Sequence, residues 1–167
     1  ILYSSSTVER RIKNVLNELA DLGGIPNFFG HQRFGTIRPV THKVGKFIVQ
    51  RDWEKAALTF LCQSSPHEHP QSRKARQQLQ ISQDFKKAQR YFPYSLHYER
   101  SMLSHLAKHP RDYVGAFRRL PKKLCKLFVQ AYQSFLFNKF LSQRINREIP
   151  LNTAQIGDYV VKLDSHG

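Results

Sequence analysis

The chain has 167 residues, 40% hydrophobic, with 12 Phe and 7 Tyr; that is enough apolar mass for one folded unit or two small ones, and it excludes a disordered tail. Lys and Arg number 27 against 12 Asp and Glu, a formal charge of +15, which makes an anionic polymer, nucleic acid first, the expected partner, with a basic but passive surface as the plainer alternative. No apolar run approaches the roughly 20 residues of a membrane span, and ILYSSSTVERR shows no signal peptide and no initiator Met, which reads as a chain cut from something longer. Cys62 and Cys125 stand 63 positions apart without a C-x-x-C, so neither a disulfide framework nor a zinc site is expected, and a reducing, cytoplasmic setting is.

In chain order, Ser6-x-x-Glu9 fits a capping box. Val8, Ile12, Val15, Leu19 and Leu22 then form one apolar stripe of an amphipathic helix that Gly23-Gly24 stops. Residues 24–35, GIPNFFGHQRFG, read as a loop anchored to that helix. Thr41 or Asp52 can cap short helices bearing Val44, Phe47 and Ile48, then Ala56, Ala57, Phe60 and Leu61. CQSSPHEHPQS is the best linker candidate. Its His67 and His69 alternate with no further ligand nearby, which favours a solvated loop over a metal site.

From Arg73 the pattern is helical and strongly basic. RKARQQLQISQDFKKAQRYFP reads as one helix ended at Pro93, and SLHYERSMLSHLAKHP sets Tyr98, Met102 and Leu106 at steps of four. RDYVGAFRRLP adds one short helical turn. Residues 70–126 hold fourteen Lys or Arg against three acids, Asp84, Glu99 and Asp112, a concentration that points to a binding face. PKKLCKLFVQAYQSFLFNKFLSQRI is the longest periodic segment. Pro121 suits its first helical position, and Leu124, Leu127, Phe128, Ala131, Phe135 and Leu136 build its apolar face. GDYVVKL, at 157–163, reads as a strand.

The loop is the unusual feature. Gly30 and Gly35 can take backbone angles closed to other residues, turning His31, Gln32, Arg33 and Phe34 toward a common point. An aromatic ring there offers a stacking face for a base, Arg33 could hold a phosphate, and Asn27 could position the polar edge of a base. Phe rings are more often core than platform.

GIPNFFGHQRFG resembles the G-[VI]-P-N-[YF]-F-G-x-Q-R-F-G signature of the TruD family of tRNA pseudouridine synthases. RPVTHKVGKFIVQRDWEKA, YFPYSLHYERSMLSHLAKHPRDYVGAFRRLP and FVQAYQSFLFNKFLSQRI followed by IGDYV are similar to later segments of the archaeal branch, in the same order. The resemblance implies isomerisation of a uridine in tRNA to pseudouridine on a base swung out of its stack, with no metal or organic cofactor. It implies an α+β fold, mostly helical in this portion: residues 1–62 as part of the catalytic domain, 63–120 as a basic helical insertion, 121–167 as the start of the TruD-specific domain. Phe29 matches the family's ring beside the target uridine and Asn27 its active-site asparagine. Arg33 is a loop brace or a phosphate contact, and Phe28 and Phe34 are read as core.

The family's nucleophilic aspartate sits in a G-x-K-D-x-x-A-x-T-x-Q motif upstream of the loop, and no such motif occurs in these residues. None of Asp21, Asp52, Asp84, Asp112, Asp158 or Asp164 has a matching context, so these residues alone are expected to bind RNA at best. Arg73, Lys74, Arg76, Lys86, Lys87, Arg90, Arg118, Arg119, Lys122 and Lys123 form the pool of RNA-backbone candidates. Gln133, Ser134 and Asn138 read as braces between elements rather than an active-site row, and His42 as either an RNA contact or a helix-start hydrogen-bonding group. Two rivals stand beside the enzyme: a non-catalytic RNA-binding module of the same fold, and a DNA-binding helical protein.

Overall fold

The structure, a computed structural model, describes residues 5–21, 25–158 and 160. Among these it is helical, with no strand; the strand expected at 157–163 falls mostly outside the described residues, and so does the glycine stop at 23–24. The helices are α1 (Ser5–Asp21), α2 (Thr41–Val49), α3 (Trp53–Cys62), α4 (Pro70–Ser82), α5 (Phe85–Tyr91), α6 (His97–Lys108), α7 (Tyr113–Arg118) and α8 (Lys122–Asn146), with a 3-10 turn at His31–Arg33. Their contacts divide into two units, residues 29–137 and residues 1–28 with 138–167.

In the larger unit the helix starts are written in short polar side chains. Asp52, Asp84 and Asp112 each accept from the backbone N–H three residues on, at Lys55, Lys87 and Gly115, and so satisfy donors a helix leaves open. Thr41 does not cap; it is the first residue of α2, behind Val40. The single helix expected to run to Pro93 is two. Gln83 takes a left-handed conformation (φ 50°) that ends α4, and the Asp84 cap starts α5. Pro121 stands one residue ahead of α8, within the usual uncertainty of a helix boundary.

The core gathers Val44, Ala56, Ala57, Phe60, Leu61, Leu79, Met102, Leu103, Leu106, Phe117 and Phe128. Rings meet edge to face at its centre, Phe60 against Phe128 at 5.4 Å and Trp53 against Phe117 at 5.8 Å. On α6 the buried stripe is Glu99, Met102, Leu103 and Leu106, and Tyr98 points outward, 48% exposed. This core runs through α2 to α8. The basic helices of 63–120 thus share buried neighbours with α2 and α3. The stretch read as a linker is tied down: Glu68 accepts from the Ser65 backbone N–H at 2.9 Å, and His69 caps α4 through Nδ1.

Close approach of α2 to α8 depends on Gly45. A Cβ there would land on the Phe128 carbonyl oxygen and crowd Tyr132. Since backbone cannot swing aside as a side-chain tip does, Gly45→Ala is expected to destabilise the fold by about 1–3 kcal/mol. Urea unfolding checks it, as a lower midpoint at unchanged slope.

In the smaller unit α1 carries the anticipated stripe, but Val8, Ile12 and Val15 are 42%, 53% and 53% exposed. The end of α8 organises the segment from Pro150 to Asp158. Arg144 donates to the carbonyls of Pro150 and Thr153 and pairs with Asp158 at 2.6 Å. That hydrogen bond, and then the Gln155 N–H, hold the Asp158 carboxyl below its usual range.

Candidate functional site

The loop's geometry begins with two backbone facts. Gly35 has φ +97°, and a Cβ there would run into the Arg38 carbonyl, so the turn requires glycine. Gly30 does not use that freedom: it is extended at φ −75° with open space around it. Between them the 3-10 turn closes through Arg33 N–H to Gly30 O and Phe34 N–H to His31 O.

This turn holds Phe29 and Arg33 together. The Arg33 guanidinium carbon lies 5.3 Å from the centre of the Phe29 ring, and Phe137 of α8 meets that ring edge-on at 5.6 Å. Phe29 remains 41% exposed. It is a ring propped at a surface, neither sealed in hydrocarbon nor unsupported. Arg33 donates through Nε to Ser134 Oγ at 3.1 Å, and the buried Ser134 hydroxyl donates on to the Gln130 carbonyl at 2.9 Å. A brace through one nitrogen leaves the planar fork able to take a phosphate, so the two roles open for Arg33 are compatible.

Behind the turn lies a second aromatic layer. Phe34 meets His42 edge-on at 5.3 Å, and His42 stacks on Phe135 at 4.7 Å. Phe34 is half-buried, as a packing ring would be. Phe28 is 42% exposed and belongs to the smaller unit, as does the exposed Asn27. His42 neither caps its helix nor lies open to solvent: its Nδ1 is buried and takes no hydrogen bond. Burial, and then Lys43, depress its pKa below 6.5. The folded state thus prefers the neutral ring. The stability this gives is complete above the unfolded pKa and is lost as pH falls through about 6.5 toward the folded value. His42→Phe, which keeps the stack and removes the titration, is expected to flatten that acid-side loss in urea melts taken at stepped pH.

The loop's far end is anchored by Arg38, a residue to which the sequence assigns no role. It donates to the carbonyls of Phe60 and Gln63 at 2.8 and 3.1 Å and pairs with Glu99 and Glu68. Burial, then repulsion from Arg76, bring its pKa down to about 10, so it stays charged at neutral pH. Arg76 completes the network. It is 1% exposed, paired with Glu99 at 2.6 Å and Glu68 at 2.9 Å, and bonded to the carbonyls of Phe60 and Leu61. Its donors are spent inside the protein, and it leaves the pool of phosphate contacts. The only hint in the sequence was Glu99, an acid on the face of the Met102 and Leu103 stripe.

The rest of the pool is exposed: Arg73 and Lys74 on α4, Lys86, Lys87 and Arg90 on α5, Arg118 and Arg119 at the end of α7, Lys122 and Lys123 at the start of α8. Lys87 also pairs with Asp84 at 3.3 Å. Ser134 supports Arg33, as a brace should, with no part in a polar row. Cys62 is no candidate nucleophile, since burial pushes its thiol up to about 11. No helix among the described residues is long and apolar enough to cross a membrane.

Comparison with known proteins carries the same direction. The family model described as tRNA pseudouridine synthase D (TruD) matches residues 2–167. A Methanopyrus kandleri protein named "Probable tRNA pseudouridine synthase D" is 51% identical over 150 residues, 89% of this chain and 38% of its own. One of the same name from Methanosarcina barkeri is 44% identical over 167 residues, 100% of this chain and 38% of its own. A TruD crystal structure from Methanosarcina mazei superposes with a TM-score of 0.87 at 45% identity, covering 93% of this chain and 36% of that one. The chain thus spans under two fifths of the length of these relatives. A signature loop, a fold and a family model that agree over nearly every residue leave one assignment: the chain belongs to the TruD family.

Proposed function

We propose that the protein isomerises a uridine of tRNA to pseudouridine in the cytoplasm, and that this chain supplies the ring beside the extruded base. One observation carries the reading: Phe29, in the family's signature loop, is held by Phe137 and by the Arg33 guanidinium yet stays 41% exposed. A base that leaves its stack loses neighbours on both faces, and an aromatic ring fixed beforehand restores one at little entropic cost. Arg33 then faces the phosphate of the same nucleotide, and Asn27 the polar edge of the uracil.

The helices carrying Arg73, Lys74, Lys86, Lys87, Arg90, Arg118, Arg119, Lys122 and Lys123 give this part of an α+β enzyme its grip on the RNA backbone. Residues 1–62 contribute to the catalytic domain and 121–167 open the TruD-specific one. The isomerisation breaks the C1′–N1 bond and makes C1′–C5, so the hydrogen on C5 leaves. The group that attacks in the family is the aspartate of a motif not found in these residues, and none of their own aspartates takes its place. No cofactor is required by such an isomerisation.

Incubating the whole protein with tRNA tritiated at uracil C5 tests this. Release of tritium, with carbodiimide-dependent stops locating one uridine, is the expected result. Tight tRNA binding without release would establish the rival, an RNA-binding module that has kept the fold. Preference for duplex DNA over tRNA at matched salt would overturn the substrate class.

A further inference from the structure

Beside α6, away from the Phe29 loop, lies a cleft of 320 Å³ lined by Ser101, Ser104, His105, Lys108, His109 and Arg119. Its construction follows from helical spacing: positions 101, 104, 105 and 108 fall on one face of α6, and Arg119 reaches it from the end of α7. No carboxylate lines it. In the sequence Arg119 is one basic residue among ten, with nothing to connect it to α6.

What distinguishes this cleft from scattered surface charge is that its arginine is aimed. His105 is buried, 9% exposed, and its Nε2 sits 2.8 Å from Asp112 Oδ2 while its Nδ1 accepts from Arg119 Nε at 3.3 Å. Those two contacts require the proton on Nε2, so Asp112 sets the tautomer and the tautomer sets the guanidinium. Asp112 is itself held by capping α7 through the Gly115 N–H. With Nε committed, the two terminal nitrogens of Arg119 take no hydrogen bond among the described residues. Neither do the Lys108 amine, the His109 ring or the Ser101 and Ser104 hydroxyls, while the His109 ring lies against His105 at 5.0 Å. Part of this charge answers the negative end of α6, where cations are favoured whatever their function. That accounts for Lys108. It accounts neither for an arginine oriented from another helix nor for hydroxyls one and two turns inside.

We propose that this cleft is a phosphate subsite that holds one phosphodiester of the bound tRNA, with Arg119 and Lys108 as its charged donors and His105 as the residue that positions Arg119. The inference rests on the reading of the protein as a tRNA-binding enzyme. A planar fork fixed along one edge presents its remaining N–H pair in the geometry a phosphate accepts, and hydroxyls from the adjoining turns complete a pocket made of donors.

The test uses the whole protein, with Arg119→Gln and Lys108→Gln as separate variants; both side chains are exposed, so folding is not at stake. Each variant is expected to weaken tRNA binding about tenfold and to reduce the slope of log affinity against log salt by about one. NMR of the histidine rings supplies a second readout: tRNA should move the His105 and His109 signals of the unaltered protein and leave those of Arg119→Gln in place. Variants that bind tRNA with unchanged affinity and slope, while the unaltered protein binds and isomerises it, overturn the subsite and leave the enzyme reading intact. Ring signals that respond to inorganic phosphate alone and not to tRNA also overturn it, by assigning the cleft to a free anion. An unaltered protein that binds no tRNA removes both.

Discussion

Phe29→Ala is expected to lower turnover far more than it lowers tRNA affinity. Stacking on an aromatic ring is worth roughly 1–3 kcal/mol per base, which corresponds to about 5- to 150-fold in rate if the contact exists only once the uridine is out of the helix. The tRNA dissociation constant, set mainly by backbone charge, should stay within about twofold. Single-turnover kinetics beside filter binding separates the two. Phe29→Tyr, with the same ring held on the same Phe137 edge, should recover most of the rate. An equal fall in rate and affinity for the alanine variant would make Phe29 a general RNA contact. Loss of the Arg33 perch is not a rival explanation, since Arg33 keeps its own bond to Ser134.

The second large effect is structural. Arg76→Met should destabilise the protein by about 3–5 kcal/mol, because it strips a partner from two buried carboxylates without unburying them. As cationic partner Glu68 and Glu99 would keep only Arg38, at 3.5 and 3.3 Å, against the 2.9 and 2.6 Å they have with Arg76. The Leu61 carbonyl would also lose its Arg76 donor, and the Phe60 carbonyl would keep only that of Arg38. Adding Glu99→Leu to Arg76→Met should return much of the loss, since an apolar pair of similar volume suits a site between Met102 and Leu103 better than a lone anion. Urea unfolding of the two single variants and the double completes the cycle. A drop in tRNA affinity at unchanged stability would put Arg76 back among the phosphate contacts.

These two residues mark what could be read in advance. The turn that holds Phe29 was legible because it is carried by neighbours in sequence: a glycine that takes φ +97° at position 35, an arginine four residues on, and a signature that keeps them in order. The three aspartate caps concern backbone donors three residues away. Asp52 was legible as a cap, and Asp84 was not, because an unbroken basic pattern hid the left-handed Gln83 before it. Arg76 was misassigned for the opposite reason. Its partners lie 8 and 23 positions away, and nothing local distinguishes an arginine that turns inward from Arg73 or Lys74 on the same helix. Arg38, braced against Phe60, Gln63 and Glu99, was missed on the same account.

The chain's composition, its loop signature and the periods of its apolar residues were enough to establish family and helical character, since each is a matter of residue type and short spacing. Which cations face solvent, where Arg33 and Arg119 are braced, and which helices share a core were settled only by packing. Burial of a charge depends on compensation from groups far along the chain, and that compensation exists only once the helices have met.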